Sequence, residues 1–523
     1  MFVIMIAWVA NAHALFATAD EFLAQWSPCL LIAMTILGTA LVCAAAAFFI
    51  YNHKKRKLGK QVADRVEYIT KTMMYGYVGG TVHPTIEDVY QTGNYVHLNG
   101  VKCLDCHTTS YLKLDMLPEV KEKAKEMIDR YGSARCVTQM YFKLPLINQL
   151  VQQIESVTSA HVLIASSVTS GHFAVIPVLV GANFANLMVL DRRVHNSVSL
   201  AAQVCQGNKS IRCDHNDMTQ LEGILKRNRF TPAVWYFCDG IYSMSGVGAP
   251  VAQLLDLMRR YPNLHIYCDD AHGSLWYHNA GFFIGEMLRL GAAVTEFGSR
   301  LVVALALGKC YASGGGAFVF SGSKMRHIVL SCGPTMTFNT VINPAELGAA
   351  VHITDMALLG CLTEPRARLL RLIEFREREV HALPLVKSGI MIPTRSISPI
   401  AVIYFKHSPD ISAILQTFNW IDGFGFTCYA AVVTDQLRET GFLVNITAFP
   451  AVALKEAGIR FAIHSEMSEE EILSMLQAIE SAVCYANDQF LNDRVRPRYE
   501  QRCARVFEEL EYITPSPLKE KLS

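Results

Sequence analysis

From residue 161 onward, short apolar runs alternate with stretches of helical spacing, and this alternation constrains the fold more than any other feature. The runs HVLIASS, ANLMVLD, AVWYFCDG, LHIYCDD and GGAFVFSG are rich in Val, Ile and aromatic residues. Strands of this kind separated by helices predict an α/β fold built on a mostly parallel sheet covered on both faces. Such sheets carry their sites beyond the carboxyl ends of the strands, so the polar and glycine residues after each run become the candidates. A chain of 523 residues can hold one large domain and a smaller one with cores that need no disulfides.

The flanks read differently. Cys29 to Tyr51 are 23 consecutive residues without a charge, enough to cross a bilayer core of ~30 Å at about 1.5 Å per residue. Asn52-His53-Lys54-Lys55-Arg56-Lys57 follows at once, and positive charge beside a span marks the cytoplasmic side. The expectation is a single-pass membrane protein whose globular part is cytoplasmic, at the endoplasmic reticulum if the source is eukaryotic. The opening segment MFVIMIAWVANAHALFATA is apolar and ends in small residues but lacks a basic start. It reads as a lumenal or interfacial segment, with a second span or a cleaved signal as alternatives.

The predicted organisation is an apolar segment and anchor at 1–52, a connecting arm at 53–130, a large domain at 131–355, a small C-terminal α/β domain at 356–488 and a tail at 489–523. Leu117 to Tyr131 carries Val120, Ala124, Met127 and Ile128 at helical spacing and ends at Gly132, a C-cap residue. A long helical pattern from Met356 to Leu383, interrupted at Pro365, leads into the small domain. There IAVIYF, FLVNITAF and GIRFAIHS read as strands and SEEEILSMLQAIESAV as a helix.

A formal net charge of +1 removes the electrostatic case for nucleic acid as the main partner. Fifteen cysteines, an odd number without a small secreted framework, read as reduced thiols. Cys103-Leu104-Asp105-Cys106-His107 spells the C-x-x-C-H of haem attachment. Haem attachment belongs to an oxidising compartment, so the segment VHLNGVKCLDCHTTSYLKL reads instead as a strand crossing into the core, and no metal is expected.

The candidate chemistry lies between Tyr267 and Phe320. Asp269 ends the run LHIYC, Asp270 and His272 follow, and Lys309 sits in LALGKCYASGGG. Apolar neighbours would lower the lysine's pKa and favour the free amine that forms a Schiff base. A carboxylate at a strand end can pair with a protonated ring nitrogen, although a helix cap is the alternative, with Asp270 the better candidate for capping. His195 follows another strand and can stack on a planar ring or serve as a structural histidine. Ser166-Ser167-Val168-Thr169-Ser170-Gly171 precedes a helix and offers donors to a phosphate, or simply a cap. Lysine, carboxylate, stacking ring and phosphate donors are the parts that pyridoxal 5'-phosphate requires.

Taken together, RYGSAR (130–135), Ser170-Gly171, DRRVHNS (191–197), CDHNDMTQLE (213–222), CDGIYSMSGVGAP (238–250), YCDDAHG (267–273) and LGKCYASGGG (307–316) resemble the α-oxoamine synthases. These fold-type I pyridoxal-phosphate enzymes include serine palmitoyltransferase and amino-oxononanoate synthase. The resemblance spans about residues 95–485. It implies Lys309 as the Schiff-base lysine, Asp269 as the partner of the pyridine nitrogen, His272 near the ring hydroxyl and His195 as the stacking ring. It further implies Ser243 beside the cofactor, Ser170 and Gly171 at the phosphate, and Thr340 reaching the phosphate of a neighbouring subunit in a homodimer or related heterodimer.

The implied reaction is decarboxylative condensation of an amino acid with an acyl thioester, such as acyl-CoA, to an α-amino ketone, with Lys309 taking the α-proton. Three positions depart from the family pattern. Ala306 stands where a phosphate-binding threonine is common, which shifts that role towards Ser313. Met140 to Ile147 lacks a family histidine. Arg460 is the nearest match to a substrate-carboxylate arginine, as in serine palmitoyltransferases. Amino-acid choice is left open, with transamination and a non-catalytic subunit of a membrane complex as the other readings.

Overall fold

The computed structural model describes residues 86–497 apart from 91–92, 99, 135–137, 139–140, 142, 182, 206, 418–423, 449–451, 453–455 and 496. The expected membrane span at 29–51, the apolar segment before it, residues 53–85 of the connecting arm and the end of the tail lie outside the described residues. Among the described residues no single helix is long and apolar enough to cross a membrane.

The described chain enters through a three-stranded antiparallel meander, β1 (Ile86–Val89), β2 (Tyr95–Leu98) and β3 (Val101–Asp105). VHLNGVKCLD is therefore a hairpin, turning at Gly100 with φ +78°, where glycine avoids the Cβ clash of the left-handed region. Cys103 and Cys106 are fully buried, and His107 turns to Asp105 at 3.5 Å. The chain then bends to bury Tyr111 completely. The helix Pro118–Tyr131 follows, starting on a proline at its first position and closed by the Gly132 N–H on Ile128. It buries Val120 and Met127, while Ile128 is exposed.

The centre of the molecule is a seven-stranded sheet of β4 (His161–Ala165), β5 (Leu187–Asp191), β6 (Lys209–Cys213), β7 (Val234–Asp239), β8 (Leu264–Asp269), β9 (Leu301–Ala306) and β10 (Gly316–Phe320). Their order is β4-β10-β9-β8-β7-β5-β6, and β10 alone runs against the others. Every residue of β5, β7, β9 and β10 is buried. Helices cover both faces, so these strands need continuous apolar runs and not alternation. β6, KSIRC, lies at the sheet edge with only Cys213 buried.

Three aspartates stand at the carboxyl ends of parallel strands: Asp191 on β5, Asp239 on β7 and Asp269 on β8. Asp239 and Asp269 are direct cross-strand partners. All three are nearly or wholly buried, so the sheet gathers acidic groups at one edge, where the next loops must satisfy or exploit them.

After β10 the helix Pro344–Leu358 stops, Gly360 takes φ +80°, and a second helix runs Thr363–Ala382. The interruption expected at Pro365 thus falls earlier. Pro365 sits in the first turn of the second helix, where its missing N–H has no partner to lose. A second sheet, all antiparallel, has the order β11 (Met391–Pro393), β12 (Ile400–Phe405), β15 (Gly458–Ala462) and β14 (Asn445–Thr447). Two residues, Phe442–Leu443, form β13 and join β3 of the entry meander in parallel. The helix Glu469–Leu491 closes this region on a capping box between Ser468 and Glu471.

Candidate active site

A cavity of about 80 Å³ opens at the carboxyl ends of β7 and β8, lined by Val168, Thr169, His195, Ser197, Asp239, Ile241, Asp269, Ala271, His272 and Lys309. The structure therefore brings Lys309, Asp269, His195 and His272 together from three separate segments. Asp269 receives the Ala271 N–H on Oδ1 at 3.1 Å and faces His172 Nε2 from Oδ2 at 3.0 Å. Burial pushes its carboxyl up. The imidazole of His172, with His195 and Lys309, outweighs burial and holds it down at about 2. Asp239 accepts the His195 backbone N–H at 3.0 Å. Burial first, and then the charge of Asp269, drive its carboxyl well above the ordinary range. The pair thus shares one charge, carried by Asp269.

Asp239 has a consequence for stability. Its folded-state pKa is raised, so the folded state holds a proton that the unfolded chain releases above about pH 4. Its contribution is complete below that pH and is lost as pH rises towards the folded pKa. Asp239→Asn keeps the acceptor for His195 and mimics the protonated acid. We expect it to flatten the decline of stability with pH above about 4, measured by urea unfolding at stepped pH; an unchanged slope would exclude a protonated Asp239.

Each of three histidines has its Nδ1 met by a neighbour. His172 Nδ1 meets the Tyr267 hydroxyl at 2.6 Å and His272 Nδ1 meets the Tyr111 hydroxyl at 2.7 Å. His195 Nδ1 accepts the Ser197 N–H at 3.3 Å. Burial raises both phenols far above their ordinary pKa, so each keeps its proton and donates. The tautomers follow: Nδ1 accepts and Nε2 carries the hydrogen. His272 is held neutral, chiefly by burial and then by the cations Lys309 and Arg460. It can therefore donate to a bound oxygen without bringing a charge.

Lys309 follows β9, and desolvation draws its amine below the ordinary lysine value while the charge of Asp269 opposes the shift. The helix Val168–Leu179 points its first turn at the cavity through Val168 and Thr169, not through Ser170 and Gly171. The Ser170 hydroxyl is committed to a capping box with Ser167. Gly171 is overlain by the Phe318 ring, which a Cβ would strike. First-turn N–H groups have no carbonyl one turn back, so those of Val168 and Thr169, with the Thr169 hydroxyl, form the anion-binding end of this helix.

Of the other residues singled out in the sequence, Ser243 lies outside the lining and accepts the Arg460 Nε–H on its carbonyl at 2.7 Å. Arg460 is buried on β15 and lines a second cavity of about 390 Å³ with Ile86, His107, Met244, Arg438, Leu443, Val444, Asn445 and Ile446. Thr340 is exposed and outside the cavity of its own chain. The Ser313 hydroxyl turns to the Gly314 carbonyl at 2.9 Å and does not line the cavity. The Ala306 N–H is taken by Ser274 at 2.9 Å.

Asp239, His172 and Tyr111 are not singled out by the sequence, whereas Val168 and Thr169 lie within the Ser166–Gly171 turn expected to offer donors to a phosphate. Asp239 ends a strand as Asp269 does, and the same rule applied to AVWYFCDG would have found it. His172 directly follows Ser170-Gly171 in an otherwise apolar helix. Tyr111 carries no local signal, because only the path of the entry segment brings it to His272.

The donor set fits pyridoxal phosphate. A buried ionised carboxylate, a desolvated amine, an imidazole on the open side and a helix N-terminus meet in one place. At about 80 Å³ the space is below the ~300 Å³ at which typical ligand clefts begin, and Thr169 and His195 are its exposed lining residues.

No family model matches the chain. It is 27% identical over 284 residues to the 8-amino-7-oxononanoate synthase of Geobacter sulfurreducens, covering 53% of this chain and 68% of that one. It is 26% identical over 392 residues to the 8-amino-7-oxononanoate synthase of Methylocella silvestris, covering 73% and 98%. Among solved structures, serine palmitoyltransferase from S. paucimobilis superposes with a TM-score of 0.64 at 19% identity, over 77% of this chain and 93% of that one. That likeness establishes the fold. With relatives matched over 68% and 98% of their lengths, this fold and a lysine and aspartate meeting at the strand ends, the chain is a divergent member of the α-oxoamine synthase family of fold-type I pyridoxal-phosphate enzymes.

Proposed function

We propose that this protein is a pyridoxal-phosphate-dependent acyltransferase that condenses an amino acid with an acyl-CoA, releasing carbon dioxide and free thiol and leaving an α-amino ketone. The observation that carries this reading is the meeting of Lys309, Asp269, His195 and His272 on one cavity. Pyridoxal phosphate, when bound, supplies the electron sink for a carbanion at the amino acid's Cα. Lys309 would link to it, Asp269 would hold its ring nitrogen, His195 would stack on its face, His272 Nε2–H would meet its ring oxygen, and the helix start at Val168 and Thr169 would hold its phosphate.

The protein's own groups do the remaining work. Lys309, whose neutral amine desolvation favours, accepts the α-proton at Nζ and can return it. Arg460, anchored by the Ser243 carbonyl beside a cavity of about 390 Å³, offers its remaining guanidinium N–H groups to the substrate carboxylate. Thr340, exposed beyond its own cavity, suits a contact with the phosphate in a second subunit, of the same or a related chain.

The acyl donor in this reading is a long-chain thioester, as in serine palmitoyltransferases of sphingolipid synthesis. Residues 29–51 act as a single membrane anchor with the catalytic part on the cytoplasmic side, so that a lipid substrate or product is handled beside a bilayer. The test is to incubate the purified protein with pyridoxal phosphate, candidate amino acids and acyl-CoA of graded length, following carbon dioxide and free thiol together. Equimolar release of both supports condensation. A keto acid without thiol would turn the reading to transamination, and no turnover despite bound cofactor would turn it to a non-catalytic subunit.

A further inference from the structure

His172 is fully buried, on a helix whose other buried residues are mostly apolar. An imidazole in such a place costs desolvation unless both nitrogens are bonded. Both are: Nδ1 to the Tyr267 hydroxyl at 2.6 Å and Nε2 to Asp269 Oδ2 at 3.0 Å. The ring meets Phe318 edge-on at 5.8 Å and 89°, and Tyr267 at 5.7 Å and 63°, which fixes its plane.

One protonation pattern satisfies all three groups. Tyr267 is buried and keeps its proton, so it donates to Nδ1, and Nε2–H donates to Asp269. The opposite tautomer sets the Nε2 lone pair against a carboxylate. An imidazolium leaves the phenol hydrogen, which has no other partner among the described residues, without an acceptor. The chain of donors therefore runs one way, from Tyr267 on β8 through His172 to Asp269 two residues along the same strand.

We infer that His172, held in one tautomer by Tyr267, is a positioning residue for Asp269, and that it fixes the carboxylate oxygen presented to the ring nitrogen of pyridoxal phosphate. This rests on the cofactor reading given above. Among the described residues Asp269 Oδ1 has only the Ala271 N–H, so without His172 the carboxylate is free to turn about its last bond. It would also face Asp239, His195 and Lys309 with one fewer donor to hold its charge.

The test compares wild type with His172→Phe, His172→Gln and Tyr267→Phe. It reads the dissociation constant of added pyridoxal phosphate by absorbance, the pH midpoint of its visible band in the bound protein, and thermal unfolding as a control. A charge-assisted hydrogen bond is the stronger kind, and its loss in His172→Phe is expected to weaken cofactor binding about tenfold or more and to move the midpoint. His172→Gln, with a side-chain N–H able to reach the same oxygen, is expected to return binding to within about threefold of wild type. Tyr267→Phe is expected to fall between.

Unchanged affinity and midpoint in His172→Phe would overturn the inference and leave the cofactor reading standing. If that variant does not fold, unchanged values in Tyr267→Phe overturn it equally. Equal losses of thermal stability in His172→Phe and His172→Gln with wild-type cofactor binding would also overturn it, by showing a packing role only. A wild-type protein that binds no pyridoxal phosphate through Lys309 would remove the cofactor reading, and the inference with it.

Discussion

Lys309→Ala is expected to abolish the visible absorbance that a lysine linkage gives pyridoxal phosphate and to lower condensation by at least about 10²–10⁴-fold, the range for losing a positioned proton-transfer group alone. The fold should not suffer. Lys309 has an amine whose pKa burial depresses, so folding costs part of the solvation of its charge. Truncation removes that cost. It also removes one of the cations that hold Asp269 ionised, but the hydrogen bond from His172 Nε2 to Asp269 Oδ2 remains. Thermal unfolding of Lys309→Ala is therefore expected at or above the wild-type temperature. Lys309→Arg keeps a cation near Asp269 but cannot form the linkage, so it should match the alanine variant in absorbance and activity. If either variant keeps the wild-type visible band, Lys309 is not the linking residue.

Much of this site was legible in the sequence because it lies in strand ends. LHIYCDD and AVWYFCDG are apolar until an aspartate, and buried parallel strands leave such an aspartate only the loop edge to occupy. Lys309 was legible for a related reason, since charge is rare within a stretch like LALGKCY unless it is used. What escaped notice depends on tertiary path. KSIRC carries no apolar run because an edge strand needs none, and only its register with Leu187–Asp191 makes it β6. LVVALA, which precedes the lysine, forms β9 and is buried along its whole length. Ser170 and Gly171 were placed at the phosphate because they form a helix-start turn. That turn exists, but the capping box occupies Ser170 and Phe318 covers Gly171, so the exposed donors move to Val168 and Thr169. Caps and contacts of this kind depend on where side chains of other elements lie, which local pattern does not carry.

Asp269→Asn is expected to reduce both cofactor retention and turnover by on the order of 10³-fold. Two unit charges about 4 Å apart at an effective dielectric of about 20 interact by about 4 kcal/mol, and that is the pair the substitution removes. Asparagine keeps the acceptor for His172 Nε2–H, so the positioning chain through Tyr267 survives and the loss reports charge. The neighbouring carboxylate then gives the variant a signature of its own. Asp239 is raised by burial and next by the charge of Asp269, so neutralising Asp269 lowers the Asp239 pKa towards the ordinary range. Part of the negative charge returns to the site, one strand away, as pH rises. Residual activity of Asp269→Asn should therefore climb with pH, whereas the double variant Asp269→Asn/Asp239→Asn should be lower and flat across the same range. Wild type has no such rise from this pair, because Asp269 is already ionised well below neutral pH. A single variant with a flat residual profile would mean that Asp239 does not take up the charge, and the two strand-end carboxylates would have to be treated as independent groups.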